Sequence, residues 1–430
     1  MKIAQITPGS GDNFYCENCL RDAALVTAIR KLEHDTLLLP MYLPMQVDEK
    51  DVPRNAPIFF GGINVYLQQK LDIFQKTPRW IDRLFDRPGL LRWAGRKAGM
   101  TSAKDLAETT ISMLEGEHGR QVKELNRLVD WLAQDENKPD VVTLSNALLI
   151  GLAEPIKEKI GVPVLCLLQD EDGFLDGLTS PYTEQAWQIV TEQSKNVDLF
   201  IAVSKYFADV MRQRLNLNPE RLEVVHMGIP LDDYKPRYKD PEVPTIGYLS
   251  RMCPDRGLDT LVEAFIELKK NDKLKNTKLR IAGGKTTADE NFIDSMKKKL
   301  DSRGLIDDVD FLSSFDSSVK FDFLSSLSVL TVPEKKPVAY GLYVLEALAS
   351  GVPVVEPAIG VFPELLEMTD GGVLYEDHSI ARLVFTLEQL LLEPECSQEL
   401  GKRGRAAIVE KFNIDRTAEE MIKIFERIVS

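Results

Sequence analysis

The sequence predicts an α/β protein built of two parallel-sheet, Rossmann-like halves, and three stretches carry that expectation. At the opening, Lys2 to Ile6 reads as a buried strand, Thr7-Pro8-Gly9-Ser10-Gly11 as a glycine loop, and DAALVTAIRKL as a helix, the start of a Rossmann-type half. The pattern restarts at Thr245 to Leu249, with the loop Ser250 to Gly257 and the helix LDTLVEAFIEL behind it. The third stretch, Thr331 to Glu364, reads as strand, loop, helix, strand and loop in a span too short for anything else.

Ser328 to Pro333 is β-branched and apolar and closes on a proline, the composition of a strand buried on both faces. After Gly341, Leu342, Leu345 and Leu348 recur at helical spacing, Gly351 stands where a left-handed cap ends the helix, and Val352 to Val355 is the next strand. Strand, short helix, strand is a parallel crossover, and such sheets hold ligands beyond the carboxyl ends of their strands. Tyr340, Gly341 and Leu342 fall there. The helix start offers unpaired N–H groups and a positive dipole end to a phosphate, and Gly341 lets that ligand approach the backbone. Glu346 lies within two turns of it, and either accepts hydrogen bonds from a diol such as ribose or only complements the dipole.

With 430 residues, 44% apolar and 28% charged, the chain can bury two or three cores and has an ordinary soluble composition. The opening MKIAQITPGSG lacks the basic and apolar segments of a secretory signal, and no run of about 18 apolar residues occurs, so a cytoplasmic protein is expected. A net charge of −14 argues against nucleic acid as a main partner. Five cysteines, at 16, 19, 166, 253 and 396, form no disulfide framework, which fits a reducing compartment. Cys16-x-x-Cys19 has the spacing of a redox pair or half a zinc site, but no second pair exists and His34, His118, His226 and His378 are dispersed, so no metal is expected.

Between the two openings, Thr36 to Pro40 is the second strand, and Pro139 to Leu144 is another that ends in Ser145-Asn146. Val162 to Leu168 ends in Gln169-Asp170-Glu171-Asp172, acids that suit hydroxyl recognition or a general base for an acceptor, or else a solvated loop with a helix-capping Asp. Asp198 to Ser204 reads as a strand and serine cap before the helix Lys205 to Arg214, and Lys235 to Pro241 is a proline-bearing polar linker. The expected division is therefore 1–238, with a helical insertion at about 76–134, then 239–412, then a terminal helix 413–430. On the loop that reopens the pattern, Arg251 and Arg256 stand five apart, able to grip a diphosphate from two sides with permanently charged, fork-shaped guanidinium groups. Leu279 to Gly284 and Val309 to Leu312 continue the alternation, and the chain is helical after Tyr375.

LEALASGVPVV and Gly360-Val361-Phe362-Pro363-Glu364 resemble the nucleotide-binding signature of retaining glycosyltransferases of the GT-B fold, glycosyltransferase family 4. That resemblance covers almost the whole chain. It implies two Rossmann-like domains facing a cleft, and transfer of a sugar from a nucleotide-sugar donor to a hydroxyl acceptor with retention. No cofactor beyond that co-substrate is implied. Arg251 and Arg256 would neutralise the leaving diphosphate, Glu346 would hold the ribose, and Tyr340, Gly341, Leu342 and Gly360 would line the donor site. The first domain's loop with Gly9 and Gly11 would face phosphate or acceptor, or be a plain turn, and Asn146, Gln169, Asp170 and Glu171 would lie on the acceptor side. Gly61-Gly62-Ile63-Asn64-Val65-Tyr66 resembles a donor-phosphate loop, but it follows the second strand rather than the first.

Two departures bear on activity. The first Glu of the signature falls on Val338, with Glu334 the nearest acid upstream, and Gln169 stands where many relatives carry a His. Either the site favours a donor with fewer hydroxyls at Val338, or Glu334 is recruited. The alternative to an enzyme is a degenerate member that binds a nucleotide sugar or a protein partner without turnover. A phosphorylase-type reading is weaker, since no lysine is marked to carry a pyridoxal group.

One stretch reverses the acidic average. From Lys76 to Lys104, Arg79, Arg83, Arg87, Arg92, Arg96 and Lys97 alternate with Trp80, Phe85, Leu90, Leu91 and Trp93. The stretch reads either as a solvated helical cover or as a peripheral contact with an anionic membrane, at its inner face, that brings the protein to a lipid-linked acceptor. If it is a membrane contact, liposome flotation will require anionic lipid, weaken as salt rises, and fall when Arg83, Arg87, Arg92 and Arg96 become Glu; equal flotation with neutral vesicles, or none, marks a helical cover.

Overall fold

A computed structural model describes residues 1–8, 17–41, 103–237, 241–312, 317–376 and 379–430. Gly9, Gly11, Cys16, the Gly61–Tyr66 loop and most of Lys76–Lys104 lie outside the described residues. The chain forms two compact units, residues 1–227 joined by 417–430, and residues 228–416.

The first unit is a parallel sheet of β1 (Lys2–Thr7), β2 (Asp35–Pro40), β3 (Val141–Leu144), β4 (Val164–Leu168), β5 (Leu199–Ala202) and β6 (Leu222–Val224) in the order β2-β1-β3-β4-β5-β6. Its strands read as unbroken apolar runs because both faces are covered; Ile3, Ile6, Val142, Leu144, Leu165, Leu167, Phe200 and Ile201 are all buried. The chain order reverses at β1 and β3, the switch point at which such sheets open a crevice beyond their carboxyl ends. Helix α1 (Glu17–Lys31) follows the first loop, and the described part of the expected insertion holds α2 (Ala103–Leu114) and α3 (Val122–Leu132). Next come α4 (Ala153–Ile160), α5 (Glu171–Asp176), α6 (Tyr182–Gln193) and α7 (Lys205–Leu215). The Ser204 hydroxyl caps α7, accepting from the Phe207 N–H at 3.2 Å.

The second unit repeats the architecture with β7 (Thr245–Leu249), β8 (Lys278–Ala282), β9 (Val309–Phe311), β10 (Val329–Leu330), β11 (Val354–Pro357) and β12 (Gly372–Tyr375), ordered β12-β11-β10-β7-β8-β9 and parallel throughout. Its helices are α8 (Leu258–Leu268), α9 (Glu290–Asp301), α10 (Ser317–Ser325), α11 (Leu342–Ala349), α12 (Phe362–Thr369), α13 (Ile380–Leu392) and α14 (Pro394–Lys411); α15 (Ile414–Val429) closes the chain and from residue 417 on belongs to the first unit. Several strands differ from their expected spans by a residue or two at their ends, and two of these differences bear on the site. β10 is two residues long rather than Ser328 to Pro333, because past Thr331 the chain turns, with the Glu334 N–H bonded to the Val332 carbonyl. β11 starts two residues later than expected, since the Val352 N–H still closes the end of α11 on the Ala347 carbonyl.

The loop after β7 is fixed by a close backbone approach. Gly257 has φ +67°, and a Cβ there would lie 1.8 Å from the Pro333 carbonyl oxygen, so the loop bearing Arg256 sits directly on the loop bearing Glu334. Left-handed backbone and steric exclusion together make this a position for glycine. Gly257→Ala is expected to destabilise the protein by about 2 to 4 kcal/mol, read as a lower urea midpoint at unchanged m.

Candidate functional site

The second unit collects the signature residues at the carboxyl end of its sheet. Tyr248 on β7 is fully buried, and its hydroxyl donates to the Arg251 carbonyl at 2.8 Å and lies 3.2 Å from the Arg256 carbonyl, so one phenol pins both ends of the arginine loop. The Met252 N–H holds the loop to the neighbouring strand end through the Gly284 carbonyl. Each guanidinium then meets a buried acid. Arg251 forks onto Asp289, Nε to Oδ2 at 3.0 Å and the second nitrogen to Oδ1 at 3.1 Å, and half its side chain stays exposed. Burial raises the Asp289 carboxyl, but hydrogen bonds from Arg251 and Thr286 outweigh it and hold the group below the usual range. Arg256 donates to Glu334 Oε1 at 2.8 Å.

Glu334 is thus no loop charge: it is 1% exposed. Beneath it lies Glu356 on β11, also fully buried, with Oε1 3.3 Å from the Val332 N–H and Oε2 3.4 Å from the Tyr343 hydroxyl. Burial and the nearby Glu334 push its pKa well up. Gly341, with φ +73°, is the residue at which α11 begins; Tyr340 and Leu342 beside it are buried. Val338 is buried too, and its carbonyl accepts from the Val361 N–H at 3.1 Å. Gly360, φ +56°, packs so tightly that a Cβ would lie 2.7 Å from the Val338 N and 2.8 Å from its O. Glu346, four residues into α11, is 4% exposed, and its Oε1 accepts from the Tyr234 hydroxyl at 2.8 Å and from Lys320 Nζ at 2.6 Å.

The first unit brings together, at the ends of β3 and β4, the residues that the family resemblance places on the acceptor side. Asn146 caps the turn after β3, accepting from the Leu148 N–H at 3.1 Å. Gln169 is buried; its amide nitrogen donates to the Ser145 carbonyl and reaches the Ser145 hydroxyl at 3.3 Å, its backbone N–H donates to Glu171 Oε2 at 2.6 Å, and its carbonyl accepts from Asn18 at 3.1 Å. Of the acids that follow, Glu171 is buried, and Asp170 and Asp172 are half-buried. Asp170 enters α5 at φ +71° without a side-chain cap, and Glu171 is 2% exposed. Burial, only partly offset by backbone hydrogen bonds, raises the Glu171 pKa to about 8. Asp22 on α1 joins this cluster: burial raises it against hydrogen bonds from Ser145 and Thr7.

Sequence reasoning missed Asp22, Asp289, Glu356, Tyr234 and Lys320. Glu356 alone carried a signal, a charged residue inside the apolar run VVEP. Among the described residues no group of three or more His, Cys, Asp or Glu side chains could hold a metal ion, and no helix is long and apolar enough to cross a membrane.

The family models agree with this geometry. Residues 233–407 match the model described as glycosyl transferases group 1, and residues 106–233 match that of glycosyltransferase family 4. The chain belongs to the family 4 (group 1) glycosyltransferases and has the two Rossmann-like sheets of the GT-B fold. Among curated relatives, it is 24% identical over 257 residues to a D-inositol 3-phosphate glycosyltransferase of Gordonia bronchialis, covering 57% of this chain and 56% of that protein. It is 25% identical over 216 residues to a GDP-mannose-dependent alpha-(1-6)-phosphatidylinositol monomannoside mannosyltransferase of Mycobacterium tuberculosis, covering 46% of this chain and 54% of that one. The chain thus spans about half the length of the curated relatives it matches. Solved structures extend the likeness of fold. A sucrose-phosphate synthase from Thermosynechococcus elongatus superposes with a TM-score of 0.70 at 16% identity, over 99% of this chain and 98% of that one. Anabaena HepE, solved in complex with UDP, gives 0.69 at 14%, over 99% and 100%.

Glu171 makes stability depend on pH. Its folded pKa of about 8 lies above the ordinary 4.5, so the folded state holds a proton that the unfolded chain releases between those values. The stabilisation is complete below pH 4.5 and is lost as pH rises toward 8, by up to about 1.4 kcal/mol per pH unit from this group. Glu171→Gln should flatten that slope and make the protein more stable than wild type at pH 8, as measured by urea unfolding between pH 5 and 8.

Proposed function

We propose that the protein is a retaining glycosyltransferase that transfers a sugar from a nucleotide-sugar donor to a hydroxyl acceptor without a metal ion. The observation that carries this is the arginine loop: two guanidinium groups on a short turn, pinned at both ends by one buried phenol and aimed by two buried acids. In the reaction the bond from the anomeric carbon to the diphosphate oxygen breaks and its electron pair leaves with the nucleoside diphosphate. The acceptor oxygen bonds to that carbon on the same face, and the departing diphosphate takes up the acceptor's proton. Arg251, Arg256 and the N–H groups at the start of α11 meet the charge that develops on the leaving group, which is why metal independence is part of the proposal. Glu346 receives the ribose. In the first unit Glu171, protonated at neutral pH, suits hydroxyl recognition rather than proton abstraction.

The curated relatives named for inositol phosphate and phosphatidylinositol mannoside substrates support a polyol or glycolipid class of acceptor, and the GDP and UDP in the names of relatives leave the donor base open. A cytoplasmic location, with peripheral membrane contact through Lys76–Lys104, belongs to the same proposal. One observation favours the second reading, a binder without turnover: Val338 is buried and apolar where the family signature has an acid.

Arg251→Ala or Arg256→Ala should each cost about 2 to 4 kcal/mol of transition-state stabilisation, roughly 30- to 1000-fold in kcat/KM. Donor hydrolysis and transfer assays across a panel of UDP- and GDP-sugars measure this. Unchanged kcat/KM in both variants overturns the assignment, and nucleotide binding by calorimetry without turnover of any donor establishes the binder.

A further inference from the structure

The carboxylate of Glu346 is used unevenly by the protein. Both of its protein donors, the Tyr234 hydroxyl at 2.8 Å and the Lys320 ammonium at 2.6 Å, converge on Oε1. Oε2 receives no hydrogen bond from any described residue. The Glu346 side chain as a whole keeps 5% of its surface exposed. A carboxylate has acceptor capacity on both oxygens, and here one takes both protein donors while the other takes none from the described residues.

The two donors are themselves held. Tyr234 is 7% exposed, meets the Phe321 ring edge to face at 4.9 Å, and offers its backbone carbonyl to Arg405 at 3.1 Å. Lys320 is 16% exposed in its side chain and lies 5.8 Å from the Tyr234 ring and 5.6 Å from the Phe321 ring, a cationic head steadied on two aromatic faces. The ammonium also compensates the charge of a carboxylate that is 4% exposed, which would otherwise be costly to keep in place.

We propose that Lys320 and Tyr234 are positioning residues for diol recognition: by fixing Oε1 they set the plane of the Glu346 carboxylate so that Oε2 faces the two hydroxyls of a ligand diol. This rests on the reading of Glu346 as the ribose acceptor. Neither residue touches the ligand. Their loss therefore weakens recognition of the diol and leaves the binding of the phosphates unchanged.

Calorimetric titration of UDP, GDP and their 2′,3′-dideoxy forms tests this on the full chain, with Lys320→Met, Tyr234→Phe, Glu346→Gln and the double variant K320M/E346Q. Wild type should prefer the ribose form over the dideoxy form by about tenfold or more, the scale of a charge-assisted hydrogen bond. Glu346→Gln should remove most of that preference. Lys320→Met should weaken the ribose form about tenfold and leave the dideoxy form within about twofold, Tyr234→Phe should do the same more weakly, and K320M/E346Q should be no worse than E346Q. If E346Q loses the preference but K320M and Y234F both keep it, Glu346 binds the diol unaided and the inference fails. Should K320M weaken both forms equally, the lysine acts on the phosphates or on the fold, which also overturns it. An E346Q variant that keeps the full preference removes the ribose reading itself, a separate failure. Where K320M does not fold, the ratio measured on Y234F decides.

Discussion

A carboxyl group buried at the end of a parallel strand must either face a cation or keep a proton, and the second unit is arranged around that constraint. Three buried glutamates meet it in different ways. Glu334 faces Arg256, Glu346 faces Lys320 with Tyr234 beside it, and Glu356, which meets no cation among the described residues, has its pKa pushed well up. The order is not interchangeable. The charge of Glu334 adds to burial in raising Glu356, so with Arg256 on Glu334 the other acid is driven toward its protonated form. A guanidinium held against a buried acid has its direction set before any ligand arrives, and preorganisation of that kind is what makes charge effective on a departing phosphate. The same ion pair costs affinity, since a diphosphate must share the guanidinium with Glu334 and Asp289. Arg251 leaves half its side chain exposed and Arg256 about a third, so both guanidinium groups reach solvent while anchored.

In the first unit burial itself shifts the enclosed carboxyls toward their protonated forms. Asp22 and Glu171 are buried among amides and hydroxyls, with Arg21 near Asp22, and burial raises both carboxyls. A protonated carboxyl is a hydrogen-bond donor as well as an acceptor, and Glu171, with a pKa of about 8, is such a group at neutral pH. The two units therefore differ in electrostatic character although their sheets are alike. One gathers fixed charge, suited to phosphate; the other gathers neutral polar groups, suited to hydroxyls.

Most of the fold was readable because parallel strands buried on both faces announce themselves as apolar runs. Thr245–Leu249 lies as expected, as does the helix after Gly341. The shortened β10 was not readable, since the turn at Val332 is a backbone hydrogen bond that leaves no mark on composition. The arginines and Glu346 stood out by spacing and by family signature, whereas their partners did not. Asp289 is 38 residues from Arg251, Glu334 78 from Arg256, and Lys320 26 from Glu346. Such pairs are made by strand order, and a lysine in SVKFDFLSS looks like any solvated lysine until β10 and α11 bring it to a carboxylate. Gln169 was visible as a departure, but its bonding to Ser145 follows from β3 and β4 being neighbours in the sheet.

The exchange of an acid for Val338 can now be weighed against the nearby Glu334. Recruiting Glu334 to a donor hydroxyl by turning its carboxylate away from Arg256 would break a buried, hydrogen-bonded pair at a cost of about 3 to 5 kcal/mol, more than one new hydrogen bond to a sugar returns. The cost falls twice, because the freed guanidinium also loses its orientation. Nor can the loop swing to bring another group to the position of Val338. Its carbonyl is bonded to the Val361 N–H, and Gly360 sits against its backbone with no room for a Cβ. The position is therefore held apolar by the turn that leads into α12. On the proposed reaction, a donor sugar meets a methyl-lined wall there, and a hydroxyl pointed at it would lose its water without a partner in return. The discrimination expected of such a wall runs against that hydroxyl, and the donor it favours is one that lacks the group or directs it elsewhere.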